Sequence, residues 1–133
     1  KKKYGENKKI NFINKSITKI NLKKKFDVII SIALIHYLND REYNSLFNNI
    51  KKISKKNTII IFRESMSIKY DFELFRYYSE ILNTEYSAHY RSIENIKDKL
   101  GKKFILVDKQ KIFNPELKKP ETYQNLAIFK KII

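Results

Sequence analysis

Phe26-Asp-Val-Ile-Ile-Ser-Ile-Ala-Leu-Ile-His-Tyr-Leu38 decides how the rest of the chain is read. It opens on an aromatic and an acid, then runs apolar from Val28 to Ile35 apart from Ser31. That run of eight is too short to span a bilayer. Its β-branched residues do not alternate with polar ones, which suits a strand buried on both faces in a parallel sheet. His36, Tyr37 and then Asn39-Asp40 follow at once, the last pair a helix-start signal. In open α/β sheets ligands sit at the carboxyl ends of such strands, so function is sought where this run ends.

Working outward, Asn39 or Asp40 caps a helix, with Glu42 placed to complete a capping box with Asn39. Tyr43, Leu46, Phe47, Ile50 and Ile53 keep helical spacing and give it one apolar face. Ser54 to Asn57 reads as a turn, and Thr58 to Phe62 is a second β-branched run without alternation. Strand, helix and strand in about 37 residues make a βαβ unit, which closes right-handed onto a parallel sheet.

Further on, the spacing of Leu74, Phe75, Tyr78, Ile81 and Leu82 predicts a helix from Asp71 to Leu82, and Asn83 to Tyr90 a connection. Ser92 caps a helix with Ile93, Ile96 and Leu100 inward and Gly101 at its end. Phe104 to Val107 and Tyr123 to Phe129 are strands expected to pair antiparallel across a proline-marked loop, Asn114 to Pro120. Upstream, Ile10 to Ile13 is a short strand candidate.

The length of 133 residues suits one domain, residues 1–133, with a real core. A hydrophobic share of 42% excludes a disordered chain. There is no cysteine and therefore no disulfide framework or thiolate metal site. Two histidines 53 positions apart, with no carboxylate at ligand spacing, give no metal site. No segment reads as a signal peptide or membrane span, so a cytoplasmic location and no membrane partner are the default expectations. Lysine and arginine outnumber aspartate and glutamate by 29 to 14, a net +15. Such a charge admits nucleic-acid binding. However, the lysines are scattered along the sequence, and Lys, Asn and Ile abound together as AT-rich coding sequence produces. Nucleic acid is therefore the weaker reading.

The tail of the organising stretch resembles the fourth strand of class I S-adenosylmethionine-dependent methyltransferases. The matching positions are Phe26, Asp27, Val28, Ile29, Ser31, Leu34, His36, Tyr37 and Leu38. The resemblance implies an α/β, Rossmann-like fold, mostly parallel with an antiparallel last strand. It makes 26–35 the fourth strand, 58–62 the fifth, and 103–108 and 122–129 the sixth and seventh. It likens Phe12-Ile13-Asn14-Lys15-Ser16-Ile17 to the third strand and its following loop. The family's first strand and glycine-rich loop, and its second strand with a ribose-binding acid, have no counterpart, since Gly5 and Gly101 are the chain's two glycines. The first two strands would lie between the third and fourth, so one edge of strand 26–31 is expected bare. With no initial Met either, the chain is read as the C-terminal portion of a longer methyltransferase-like domain.

The resemblance also implies methyl transfer from S-adenosylmethionine to a small-molecule acceptor. Ser16, Ile17, Ser31 and Ile32 stand where the family meets that cofactor, although the family often has an acid where Ser16 stands. Their plainer reading is loop and strand end, and both remain open. His36, Tyr37, Arg63, Glu64 and Tyr90 are the candidate substrate contacts. His36 is a candidate general base on the strength of an ordinary pKa near neutrality, and packing is its plainer role. Arg63 suits a carboxylate or phosphate, or an ion pair with Glu64. His89, Tyr90 and Arg91 read otherwise as a solvated loop with an aromatic anchor. The alternatives for the whole chain are a non-catalytic methyltransferase-like interaction module, which the missing glycine loop favours, and a basic nucleic-acid-binding domain. A bare strand edge also invites oligomer formation.

Overall fold

The computed structural model describes residues 10–80, 82–112 and 122–133. Strand β1 (Phe26–Ile32) runs into a single 3-10 turn, Ile35–Tyr37, and then helix α1 (Asp40–Ile53). Strand β2 (Ser54–Ser67) follows directly, then β3 (Phe72–Ser79) and β4 (Thr84–Tyr90). Helix α2 (Ile93–Leu100), β5 (Phe104–Ile112) and β6 (Thr122–Lys131) complete the order. The main sheet is ordered β1-β2-β6-β5. β1 and β2 pair parallel, and β6 pairs antiparallel with both β2 and β5. Three strands therefore point one way and the last strand runs against them, as expected. The proline-marked loop lies outside the described residues.

The βαβ unit forms for the reasons its sequence gives. Glu42 N donates to Asn39 Oδ1 at 3.0 Å, and Asn39 N donates back to Glu42 Oε2 at 3.3 Å. Tyr43, Leu46, Phe47 and Ile50 are the buried stripe of α1. They meet Ile60, Phe62, Ala127 and Phe129 on one sheet face, with Ile96 and Leu100 of α2 beside them. Phe62 stacks on Phe47 and meets Phe129 edge-on, at 5.7 and 6.0 Å between ring centres. Ser92 caps α2, and Gly101 ends it at φ 79°. That left-handed value suits a residue without a Cβ.

Three expectations are corrected. Residues 10–13 form no strand, and Ile10, Phe12 and Ile13 are exposed, because among the described residues no neighbouring strand takes their hydrogen bonds. β1 is covered on one face only. Val28, Ile30 and Ile32 are 50%, 59% and 57% exposed, while Ser31 is buried.

The third correction is the expected helix from Asp71 to Leu82, which is instead a β-hairpin with the segment read as a connection. Helical spacing would have aligned Leu74, Phe75, Tyr78 and Leu82. No core awaits that face, for Phe75, Tyr78 and Leu82 remain exposed. The period that packs is two: Phe72 pairs with Tyr90 and Leu74 with Ala88. Arg76 and Asn83, both at φ 49°, provide the bulge and the turn.

Charge divides along the strands. Lys23, Lys24 and Lys25 precede β1, Lys51 and Lys52 end α1, and Lys55 and Lys56 begin β2. Lys102 and Lys103 lead into β5, and Lys130 and Lys131 end β6. The topology brings these eleven to one end of the sheet. Lys131 Nζ reaches Ser54 O at 3.0 Å, Lys25 Nζ reaches Lys52 O, and Lys131 faces Phe104 across the ladder. Among the described residues the acids on these elements at this end are Asp27, paired with Lys55 at 2.6 Å, and Asp98 in the last turn of α2. Lysines that are scattered in sequence are gathered in space.

Candidate functional site

At the carboxyl end of β1 the chain must leave the sheet and start α1 within a few residues. Ala33 takes φ 49°, an uncommon value for a residue with a Cβ, and its N donates to Arg63 O at 2.9 Å. The 3-10 turn that follows leaves amides without helical partners. Glu64, 1% exposed, fills that need. Its Oε2 accepts from Leu34 N at 2.8 Å and Ile35 N at 3.2 Å, while Oε1 accepts from Ser31 Oγ at 2.6 Å. His36 Nδ1 lies 3.6 Å from the same Oε2, beyond a good hydrogen bond.

The other end of the turn is held by Arg91, 3% exposed. Its Nη1 donates to Ile35 O and its Nη2 to Leu38 O, both at 3.0 Å. Nη2 also reaches Asp40 Oδ1 at 2.9 Å, and the guanidinium carbon sits 4.0 Å from the centre of the Tyr43 ring. A carboxylate thus holds the amides of the turn and a guanidinium its carbonyls, in the sense that the backbone dipoles favour. Between these clamps His36 is buried, with its ring 4.0 Å from Tyr37 and parallel to Tyr90 at 6.0 Å. Tyr37 is exposed.

The electrostatics follow from these contacts. The hydrogen bond from Arg91 holds the Asp40 carboxyl below its ordinary range. Burial raises the Tyr43 phenol, which donates to Asn95 Oδ1 at 2.9 Å. Burial, and then a hydrogen bond with Tyr86, raises the phenol of Tyr90.

The structure brings Ser31, His36, Tyr37, Glu64 and Tyr90 together. It separates Arg63 from Glu64, since neighbours on a strand face opposite ways. Arg63 is exposed and donates to Gln124 Oε1 at 3.1 Å. Ser16 lies on an exposed turn with its hydroxyl on Thr18, and Ile17 is packed against the core. Ile17 lines an apolar cavity of about 150 Å³ between residues 17–22, β1 and α1. Arg91 was missed as an anchor. The signal lay in the alternation of Tyr86, Ala88 and Tyr90, which marks a strand delivering residue 91 to the body of the fold.

Residues 1–62 match a family model described as a methyltransferase domain. The sheet order β1-β2-β6-β5 reproduces the fourth, fifth, seventh and sixth strands that the resemblance implied. A structure of the 1,6-didemethyltoxoflavin-N1-methyltransferase of Burkholderia thailandensis matches 99% of this chain at TM-score 0.72 and 13% identity. This chain has the later part of a class I methyltransferase fold. The O-methyltransferase of a trans-AT polyketide synthase from Brevibacillus brevis shares that fold, at TM-score 0.63 and 11% identity over 90% of the chain. The malonyl-[acyl-carrier protein] O-methyltransferase 2 of Ilyobacter polytropus is 30% identical over the whole chain. The chain spans about half the length of these relatives: 49% of the Ilyobacter protein, 54% of the Burkholderia one and 48% of the Brevibacillus one.

The Ser31 hydroxyl is committed to Glu64 and Ile17 is packed against the core, so what the end of β1 presents is the backbone of residues 31–33 and the exposed side chain of Ile32. Glu64 is committed to the turn and to the Ser31 hydroxyl.

Proposed function

We propose that this chain is the acceptor-side half of an S-adenosylmethionine-dependent methyltransferase acting on a small molecule. The observation that carries this is the double clamp, Glu64 on the amides and Arg91 on the carbonyls, which fixes His36 and Tyr37 beside Tyr90 at the ligand end of the sheet. S-adenosylmethionine supplies an activated methyl group, so the protein's main task is to align the acceptor with it. In this reading the end of β1 with Ile32 is a wall of the cofactor site. Ser31 contributes backbone, and Ser16 borders the site from the preceding loop, while Ile17 holds that loop against the core. His36, Tyr37 and Tyr90 shape the acceptor pocket. Exposed Arg63 lies on the face opposite Glu64, across the ladder from Ile32, so an anionic acceptor, as in a relative named for malonyl-[acyl-carrier protein], would reach it from that side. Glu64 moves from substrate contact to positioning residue.

Calorimetric titration of S-adenosylhomocysteine tests the proposal, using this chain and a version extended by its upstream coding sequence. Binding by the longer form alone is the expected result. Binding by neither favours the second reading, a non-catalytic interaction module, for which the bare apolar face at Val28, Ile30 and Ile32 speaks.

A further inference from the structure

The lysine-rich end of the sheet takes no part in the proposed site. It lies roughly 25 Å from it along β2, by the rise of a strand between Lys56 and Glu64. We propose that this end is a docking surface for an anionic lipid bilayer, on which the chain sits with its candidate site facing away. Three features choose the partner. All eleven basic residues are lysines, point charges that attract phosphate without the planar guanidinium fork favoured in nucleic-acid recognition. None of the exposed large aromatic side chains lies on these segments, so a stacking platform for single-stranded nucleic acid is missing among the described residues. Ile132 and Ile133 continue from Lys131 at 37% and 70% exposure, and apolar side chains beside a cationic patch enter the headgroup boundary of a bilayer.

The repulsion within the patch is only partly relieved, by Asp27 on Lys55. Lys131 is held below its ordinary range by burial and then by Lys25 and Lys103. A layer of anionic headgroups would relieve it. No described helix is long and apolar enough to cross a membrane, so the association is at the surface. Each lysine within a screening length of such a layer contributes on the order of fivefold in binding.

The test is cosedimentation of the 133-residue chain with phosphatidylcholine vesicles, with and without phosphatidylglycerol, at low and raised salt. The expected result is salt-sensitive binding to the anionic vesicles alone. Neutralising Lys24, Lys56 and Lys102 to Gln together should weaken it on the order of a hundredfold, and reversing them to Glu should weaken it further. Reversing Lys69, Lys109 and Lys111, an equal charge change away from this end, should cost no more than about fivefold. Both triple variants are made also as Lys→Gln, so that a reversal that disturbs folding, checked by circular dichroism, still leaves a reading. Absence of binding to anionic vesicles at low salt overturns the proposal, as does equal loss in the two triples. Tighter binding to random-sequence duplex DNA, with displacement from the vesicles, replaces the lipid with nucleic acid.

Discussion

Glu64 is the residue on which the geometry of the site turns. Truncating it to Ala leaves Ser31 Oγ and the amides of Leu34 and Ile35 without an acceptor in a dry setting. Buried donors left unsatisfied cost about 1–3 kcal/mol each, so Glu64→Ala should lose about 3–5 kcal/mol in urea denaturation. Glu64→Gln keeps an oxygen for the two amides and should lose about 1–2 kcal/mol. Equal losses for the two would mean that the carboxylate does not hold the turn. Asp40 gives a prediction in pH. Its folded pKa lies below its unfolded one because Arg91 bonds the charged form. That stabilisation is present above the unfolded carboxylate pKa and disappears as pH falls through the folded one. Asp40→Asn should therefore be less stable than the parent at neutral pH, with the difference closing in acid. A gap that persists at low pH would point to a cause other than this bond.

Elements were legible where local chemistry and tertiary packing agree. The capping box of α1 was readable from Asn39 and Glu42, and the structure closes it. Asn39→Ala should cost about 1 kcal/mol, measured by thermal or urea unfolding, and no loss would mean that the box is idle in solution. The second helix, its Ser92 cap and its Gly101 end were readable in the same way. The β3-β4 hairpin was not. Its aromatic residues fit helical spacing and strand propensity alike, and the choice was made by Tyr90 packing on His36 and Phe72 on Tyr90. The same hairpin hid Arg91, since a residue taken for the end of a loop carries no hint of burial. The opposed facing of Arg63 and Glu64 was available from strand geometry alone.

The lysines and the bare sheet face belong to the whole molecule. The lysines could be counted in sequence but located only once β6 was known to end beside the start of β2. The proteins this chain matches carry roughly as much chain again, and the bare face is surface open to added chain. Val28, Ile30 and Ile32 project from a strand whose outer edge is unpaired among the described residues, and Ile59 and Ile61 continue the apolar surface on β2. In the 133-residue chain this face meets water, so a charge placed on it interrupts no packing. Ile30→Lys should shift the stability of this chain by less than about 0.5 kcal/mol. It should also reduce self-association in sedimentation velocity, because lysine blunts a sticky edge. In a chain extended upstream the added segment should cover β1, and the same substitution should then cost at least about 2 kcal/mol by burying a charge in an apolar contact. A small cost in both would mean that the face remains open whatever precedes it, and would move weight from the methyltransferase proposal to the interaction module. A large cost in the short chain would mean that a second copy already covers the face, and sedimentation of the parent at micromolar concentration would then find a dimer.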